Sequence, residues 1–207
     1  MTERRYQQSC PIARALDAVG ERWALLIVRE LLLGPVRYGQ LLEALPSMGT
    51  KVLAERLKEL AARGLIDSSA DGYRLTERGE ALRPVIAALA AWGQPLLAQH
   101  EPDDATPAST VALMLWGRLL ELPREEWNCF ELRIDDRPFV ASITHGETRV
   151  ARGESEAATG RLSVSVEGAI ALLDGRITIR AAVAEGTLQL DRLSVRRVRE
   201  LFRFAPG

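Results

Sequence analysis

Basic and short polar side chains recur between residues 37 and 74, at a spacing that lets several of them share one surface. At 100° per residue, Lys51, Glu55 and Lys58 lie on one side of a helix, opposite three leucines, and Arg56 lies on the border. Lys and Arg bind phosphates, and side chains on a helix surface can also reach base edges in DNA. The predicted DNA-contacting residues are Arg37, Tyr38, Thr50, Lys51, Glu55, Arg56, Lys58 and Arg74. The solvated face of an ordinary helical bundle would explain the same charges.

The elements that would position these side chains follow a fixed order. A short helix over 37–45 ends at Pro46, and a second helix runs from Gly49 or Thr50 to Arg63, with Gly64 as its C-terminal cap. Asp71-Gly72 predicts a tight turn inside a hairpin over 66–76. Upstream, two further helical patterns precede this unit. The order helix, turn, helix, hairpin is typical of a DNA-reading module.

A long apolar helix over 77–98 follows the hairpin, with Thr76 as its predicted cap. Pro84 should kink this helix or split it in two. The apolar stripe consists of Leu82, Val85, Ile86, Leu89, Gly93 and Leu96. Because the small module already has a core, the stripe needs a partner, either the second domain or another subunit.

The stretch from Cys10 to Gly93 resembles the HxlR family of winged helix-turn-helix transcriptional regulators. The resemblance rests on Cys10-Pro11-Ile12, Gly20-Glu21-Arg22-Trp23, Leu31-Leu32-Leu33-Gly34 with Arg37-Tyr38, the run from Leu53 to Leu65, Leu75-Thr76 with Gly79, and Trp92-Gly93. It implies a mainly α winged helix-turn-helix domain that binds double-stranded DNA. It also implies a homodimer joined through the N-terminal helix and the 77–98 helix.

The chain departs from the family pattern in several places. Gly49 stands where a Ser usually begins the recognition helix, and the hairpin is short, with one arginine, Arg74. The chain also continues well beyond the terminal helix. Cys10 matches a cysteine that serves some relatives as a redox or electrophile sensor, which makes it a candidate redox residue. An inert, half-buried thiol is the simpler alternative.

Three regions are predicted: a DNA-binding and dimerisation domain over 1–100, a linker over 101–109 and a second domain over 110–207. Pro, Asp and Thr cluster in the linker without apolar periodicity. After an apolar helix over 108–122, alternating patterns predict strands, including one over 162–166. Further helices, the last of them capped by Ser194, and a last strand over 187–191 predict an α+β layer.

This second half resembles the sterol-carrier-protein-like fold. The resemblance rests on Leu162-x-Val164-x-Val166, Leu172-Leu173-Asp174-Gly175-Arg176, Ala181-Ala182, Glu185-Gly186-Thr187-Leu188 and Leu201-Phe202. It implies an apolar cavity between sheet and helices that can hold a hydrophobic ligand. The candidate lining residues are Trp116, Trp127, Phe130, Phe139 and Phe202, for which plain core packing is the alternative.

Composition narrows the function classes. The first 100 residues carry 13 Lys/Arg and 11 Asp/Glu, a net charge of +2, and the remainder carries 14 and 17, a net charge of −3. DNA binding must therefore depend on local placement of charge. Two cysteines, no secretory signal and no apolar run of about 20 residues favour a cytoplasmic protein without membrane insertion. The two histidines, His100 and His145, have no ligand-type neighbours, so no metal, cofactor or enzymatic activity is expected.

The sequence thus predicts a homodimeric, sequence-specific transcriptional regulator, expected to be a repressor, whose second domain senses a small apolar ligand. Two alternatives stay open. The second domain could be a ligand-free dimer scaffold, or the protein could be a lipid or acyl carrier with a vestigial DNA module.

Overall fold

The computed structural model describes residues 5–93, 96, 106–121, 129–144 and 147–202, and all structural statements below concern these residues. They separate into two compact units, Met1–Gly93 and Gln94–Gly207. The predicted linker over 101–109 begins outside the described residues. Its last two residues, Ala108 and Ser109, begin a helix of the second unit, and both are buried there.

Four helices form most of the first unit: α1 (Pro11–Val19), α2 (Ala24–Leu31), α3 (Tyr38–Ala44) and α4 (Thr50–Ala62). Helix α2 begins at Ala24, directly after Trp23, whose backbone is left-handed with φ of +82°. Gly64, at φ +66°, ends α4, and the Leu65 amide donates to the Leu60 carbonyl at 3.0 Å. This is the predicted glycine cap.

The hairpin consists of β1 (Ile66–Ser69) and β2 (Gly72–Leu75), paired antiparallel. The two residues of its loop are Ala70 and Asp71, so Gly72 belongs to the second strand instead of the turn. Val36 adds a third short pairing, exchanging two backbone hydrogen bonds of 2.9 Å with Tyr73. A Cβ on Gly72 would lie 2.4 Å from the Val36 carbonyl oxygen, and φ here is +122°. Glycine is therefore required by both the backbone conformation and the close approach.

The helix predicted over 77–98 is split in two, one of the two outcomes expected from Pro84. The two parts are α5 (Glu77–Glu80) and α6 (Arg83–Gly93), and most of 94–98 lies outside the described residues. Pro84 occupies the first turn of α6, where its missing N–H group costs no helical hydrogen bond. Thr76 caps α5 as predicted, with its hydroxyl accepting from the Gly79 amide at 3.1 Å.

The core of the first unit joins all of its early elements. Ile27 and Leu31 of α2 meet Leu41 of α3 and Leu53 and Leu57 of α4, all at most 3% exposed. Burial of five such side chains contributes about 1.5–3 kcal/mol each. This core sets the angle between α3 and α4, and thus the direction of the outer face of α4.

The second unit contains a five-stranded sheet in the order β5-β4-β3-β6-β7. Its strands are β3 (Cys129–Ile134), β4 (Arg137–Thr144), β5 (Glu147–Arg152), β6 (Arg161–Val164) and β7 (Leu188–Asp191). Strands β3 and β6 pair in parallel and the other neighbours pair antiparallel. This is an α+β unit, as the alternating patterns predict.

Four helices accompany the sheet: α7 (Ala108–Glu121), α8 (Val166–Leu173), α9 (Ile179–Ala184) and α10 (Val195–Leu201). The predicted strand over 162–166 is too long. Ser165 caps α8 through a 3.0 Å hydrogen bond from the Gly168 amide, so Val166 is helical. Ser194 caps α10 in the same way, as predicted, with the Arg197 amide 3.2 Å away.

One face of this sheet is apolar and buried, and the other is polar. Phe130, Leu132 and Ile134 alternate along β3, and each is at most 2% exposed. Leu132 lies between Phe139 of β4 and Leu162 of β6 in the register, so the apolar face is continuous across the sheet. Within the described part of the chain, none of the helices is long and apolar enough to cross a membrane.

Candidate nucleic-acid interface

Helix α4 is fixed against α3 at its N-terminus. The Tyr38 hydroxyl donates to the Thr50 carbonyl at 2.7 Å, and Met48 in the connecting turn is buried. Gly49 caps α4 without a side-chain hydrogen bond. Its φ of −72° is accessible to any residue, so glycine is not required there by conformation. The first turn of α4 therefore depends on Tyr38 and the core more than on its cap.

The outer face of α4 carries exposed Lys51, Glu55 and Lys58, opposite the buried leucines, and Thr50 is exposed at the N-terminal end of the helix. Their spacing places Lys51, Glu55 and Lys58 one turn apart along the same face, as the periodicity predicts. Two ammonium groups beside a threonine hydroxyl and a carboxylate can bind phosphates and donate to or accept from base edges. We call these four residues the recognition face.

Arg56 does not share this face. One of its guanidinium nitrogens lies 3.4 Å from the Glu21 carboxylate, and the other contacts Glu59. Its side chain is 19% exposed. The predicted role of Arg56 as a direct DNA contact thus conflicts with its geometry, because the guanidinium is already paired inside the protein. Sequence reasoning missed Glu21, whose position before α2 gives no signal of a contact with α4.

Arg37 and Tyr38 lie at the start of α3, and only Arg37 is fully exposed. The Arg37 amide donates to the Gln40 side-chain oxygen at 3.0 Å, so the contact that Arg37 makes at this helix start is through its backbone. Tyr38 contacts the core and holds α4 through its hydroxyl. The structure therefore gives Tyr38 a positioning contact in addition to any contact with DNA.

Arg74 is exposed on β2, directly opposite Asp67 of β1 in the register. Asp71 occupies the hairpin loop. Opposite charges on neighbouring strands interact favourably, and both carboxylates reduce the positive potential of the hairpin. The hairpin is placed like a wing, yet it carries two acidic groups and one basic group.

The predicted ligand-lining residues of the second unit are buried. Trp116, Phe130, Phe139 and Phe202 are each at most 6% exposed, and Trp127 lies outside the described residues. The Trp116 indole N–H donates to the Thr148 carbonyl at 2.9 Å, which fastens α7 to β5. Its single donor is thus used inside the unit.

Cys10 caps α1 through its backbone and carries a free, half-buried thiol. Cys129 is also free, with its sulfur 4.0 Å from the Ser155 hydroxyl. In the described ranges, we find no group of three His, Cys, Asp or Glu side chains arranged to hold a metal ion.

Glu131 is a buried charged residue of the second unit. The Arg161 guanidinium, 2.6 Å away, lowers the pKa of this carboxyl, and the Ser155 amide adds to the effect against the opposing influence of burial. The same pair raises the pKa of Arg161. This ion pair joins β3 to β6, and the Ser155 amide, which donates to the same carboxylate at 3.4 Å, connects the loop over 153–160 to it.

The geometry of the first unit defines a class: helix, turn, helix and wing make it a winged helix-turn-helix domain of the type that binds DNA. Comparison with known proteins gives the family. The model of the HxlR-like helix-turn-helix family matches residues 18–101. The chain is 38% identical over 98 residues to an HTH-type transcriptional regulator of Synechocystis sp., covering 44% of this chain and 73% of that protein. The chain belongs to the HxlR-like helix-turn-helix family.

Two further similarities concern YodB of Bacillus subtilis, an HTH-type transcriptional regulator. The chain is 35% identical to it over 103 residues, covering 46% of this chain and 89% of YodB. The match to a crystal structure of quinone-bound YodB covers 42% of this chain and 98% of the YodB chain, at 38% identity and a TM-score of 0.38. The family match and the sequence identities to these regulators make the protein a transcriptional regulator with a helix-turn-helix DNA-binding domain in its first unit.

Proposed function

We propose that the protein is a homodimeric repressor that reads duplex DNA with the recognition face of α4. The observation that carries this proposal is the exposure of Lys51, Glu55 and Lys58 on a helix whose opposite side is buried, with exposed Thr50 at its N-terminal end. A bound dimer that covers a promoter lowers transcription by occlusion alone, which needs no activating surface. Arg37 and Arg74 would contact the flanking phosphates.

The proposed dimer uses α1 and α6. Ile12 and Leu16 of α1 are 71% and 41% exposed, and Val85, Leu89 and Trp92 of α6 are 44%, 45% and 73% exposed. Large apolar side chains in such number on two helices favour a protein partner. A two-fold dimer would present two recognition helices to successive major grooves.

The test is a titration of duplex DNA. A random-sequence duplex library is enriched on the purified protein, and the selected duplex is compared with a scrambled one at moderate salt. We expect saturable binding with clear preference for the selected duplex. Equal affinity for both duplexes would refute sequence-specific recognition. A reporter gene under the selected sequence then tests the direction of regulation.

We propose in addition that the second unit senses a small apolar ligand through its buried aromatic side chains. The fold supports this through an apolar sheet face bearing Phe130 and Phe139 under covering helices. A ligand-induced change in DNA affinity is typically about 5–150-fold. Native mass spectrometry of the purified full chain tests for a retained ligand, and delipidation followed by DNA titration tests the coupling.

A second candidate is a scaffold without ligand. It is favoured by the hydrogen bond from Trp116 to Thr148, which makes this aromatic residue a packing anchor. A scaffold would show no bound mass, and DNA binding would be insensitive to delipidation. A lipid carrier with a vestigial DNA module would instead retain ligand while failing to distinguish the selected duplex from the scrambled one.

Cys10 stays a candidate redox residue. Its position at the N-terminus of α1, on the proposed dimer helix, would let oxidation of the thiol alter the dimer. The Cys10→Ser variant should then lose any diamide sensitivity of DNA binding. If diamide affects the DNA binding of wild type and of Cys10→Ser equally, Cys10 is not the redox residue.

A further inference from the structure

The Arg56 guanidinium lies between two carboxylates, one on its own helix and one before α2. It contacts Glu59 and lies 3.4 Å from Glu21. Its Nε is buried without a hydrogen-bond partner, and the side chain is 19% exposed. The whole guanidinium is therefore directed at the protein, away from the recognition face.

A second arginine connects α4 to the segment near Glu21. Arg63 follows Arg56 by two helical turns, and its guanidinium donates to the Ala18 carbonyl at 3.0 Å. Ala18 is in the last turn of α1 and Glu21 follows that helix closely, so both contacts reach the corner between α1 and α2. At a rise of 1.5 Å per residue, the two points of attachment are about 10 Å apart along α4.

The corner itself has a defined backbone. A Cβ on Gly20 would lie 2.5 Å from the Leu16 carbonyl oxygen, so the chain passes closely over α1 there. Trp23 adopts a left-handed φ of +82° and is partly buried against the core, and the Arg22 guanidinium lies 5.1 Å from the centre of its ring. Glu21 is thus presented to α4 by a constrained segment.

We propose that Glu21, Arg56 and Arg63 are positioning residues that set the rotation of the recognition helix, so that sequence preference depends on them while general affinity for DNA does not. This proposal rests on the proposed DNA-reading function of α4. Side-chain tips lie about 5–6 Å from a helix axis, so a 20° rotation moves them about 2 Å. Such a shift breaks hydrogen bonds to base edges. The attraction of Lys51 and Lys58 to phosphates is little changed by such a shift, because this attraction depends mainly on the number of charges.

The test compares Glu21→Gln with Glu80→Gln in the full chain. Glu21 and Glu80 are 48% and 43% exposed and each pairs with an arginine, but Glu80 pairs with Arg83 at the start of α6. Each variant is titrated with the selected and the scrambled duplex. We expect Glu21→Gln to lower the ratio of the two affinities about two- to thirtyfold. Glu80→Gln should change both affinities equally and leave the ratio unaltered.

Two further variants, Arg56→Gln and the double variant Glu21→Gln/Arg56→Gln, test whether both residues act through one contact. The double variant should lower the ratio no further than Arg56→Gln alone, because neighbouring residues in one network are non-additive. Additive losses, or an unaltered ratio in Glu21→Gln, would overturn the proposal. Thermal unfolding of each variant confirms that it is folded. A wild-type protein that prefers neither duplex would instead refute the proposed function.

Discussion

Exposure separates the basic residues of α4 into two groups. Lys51 and Lys58 are exposed on the recognition face, whereas the Arg56 guanidinium is paired with Glu21 and Glu59. An exposed ammonium group can exchange its hydration for a phosphate at little cost. A guanidinium already paired with carboxylates would first have to leave them.

Lys51→Ala and Lys58→Ala should each weaken binding to the selected and the scrambled duplex alike. The plot of log K against log salt concentration has a negative slope, and removing one phosphate contact makes that slope less steep by about 0.9. Arg180→Ala, at an exposed position of α9 in the second unit, removes the same charge and is the control. Titrations at several salt concentrations measure the slopes. Slopes that match wild type in both lysine variants would remove these side chains from the interface.

Glu131 gives the second unit a specific sensitivity to acid. Because Arg161 lowers its pKa in the folded state, the ion pair contributes its full stabilisation above the unfolded-state pKa of about 4.3. That contribution is lost as the pH falls from there through the lowered folded-state value. In Glu131→Gln the free energy of unfolding should therefore fall less steeply with acidification than in wild type.

Denaturant unfolding at a series of pH values measures this dependence. Glu154→Gln is the control, since Glu154 is a 62% exposed carboxylate paired with Arg133 beside the same loop. The range from about pH 5 to about pH 3 brackets the unfolded-state pKa of a glutamate. If Glu131→Gln and wild type lose stability in parallel over this range, the ion pair is not the cause of the acid sensitivity.

Among the elements, the wing depends on one glycine. Gly72→Ala places a methyl group 2.4 Å from the Val36 carbonyl oxygen at φ +122°, so we expect a loss of about 2–4 kcal/mol in the free energy of unfolding. Gly49→Ala is the matched control, because φ there is −72° and a Cβ meets nothing within 4 Å. Its effect should stay below about 1 kcal/mol. Similar losses in both variants would contradict the close approach of Val36 and Gly72.

Elements with strong local signals follow from the sequence. The bounds of α4, its glycine end at Gly64 and the Thr76 and Ser194 caps depend on residues within a few positions of each other. The periodicity also predicts the recognition face. Local propensity and capping suffice for all of these features.

Other features depend on residues that are distant in sequence. The pairing of Val36 with Tyr73 and the contact of Glu21 with Arg56 join segments separated by more than 30 residues. The strand over 162–166 is overextended for a local reason: the alternation of Val164 and Val166 continues across Ser165, and only the cap shows that the helix has begun. Where a strand runs directly into a helix, apolar alternation alone does not show whether the next apolar residue still belongs to the strand or already to the helix.

For the whole molecule, the proposed dimer links the exposed apolar side chains to the DNA interface. Two recognition helices in one particle bind neighbouring half-sites together, so each raises the effective concentration of the other at the DNA. Affinity for a duplex with two half-sites should then depend on α6, which carries no residue of the recognition face.

Leu89→Arg should convert the dimer to a monomer and weaken binding to the selected duplex at least tenfold, or about 1.4 kcal/mol, because a buried charge without a partner opposes association. Leu120→Arg is the matched control: Leu120 is 40% exposed on α7, against 45% for Leu89, and lies outside the proposed dimer surface. Sedimentation velocity measures the assembly state and titration measures the affinity. A monomeric wild-type protein, or a Leu89→Arg variant that stays dimeric with unaltered affinity, would refute association through α6. A variant that becomes monomeric yet keeps its affinity would show instead that one recognition helix is sufficient for binding.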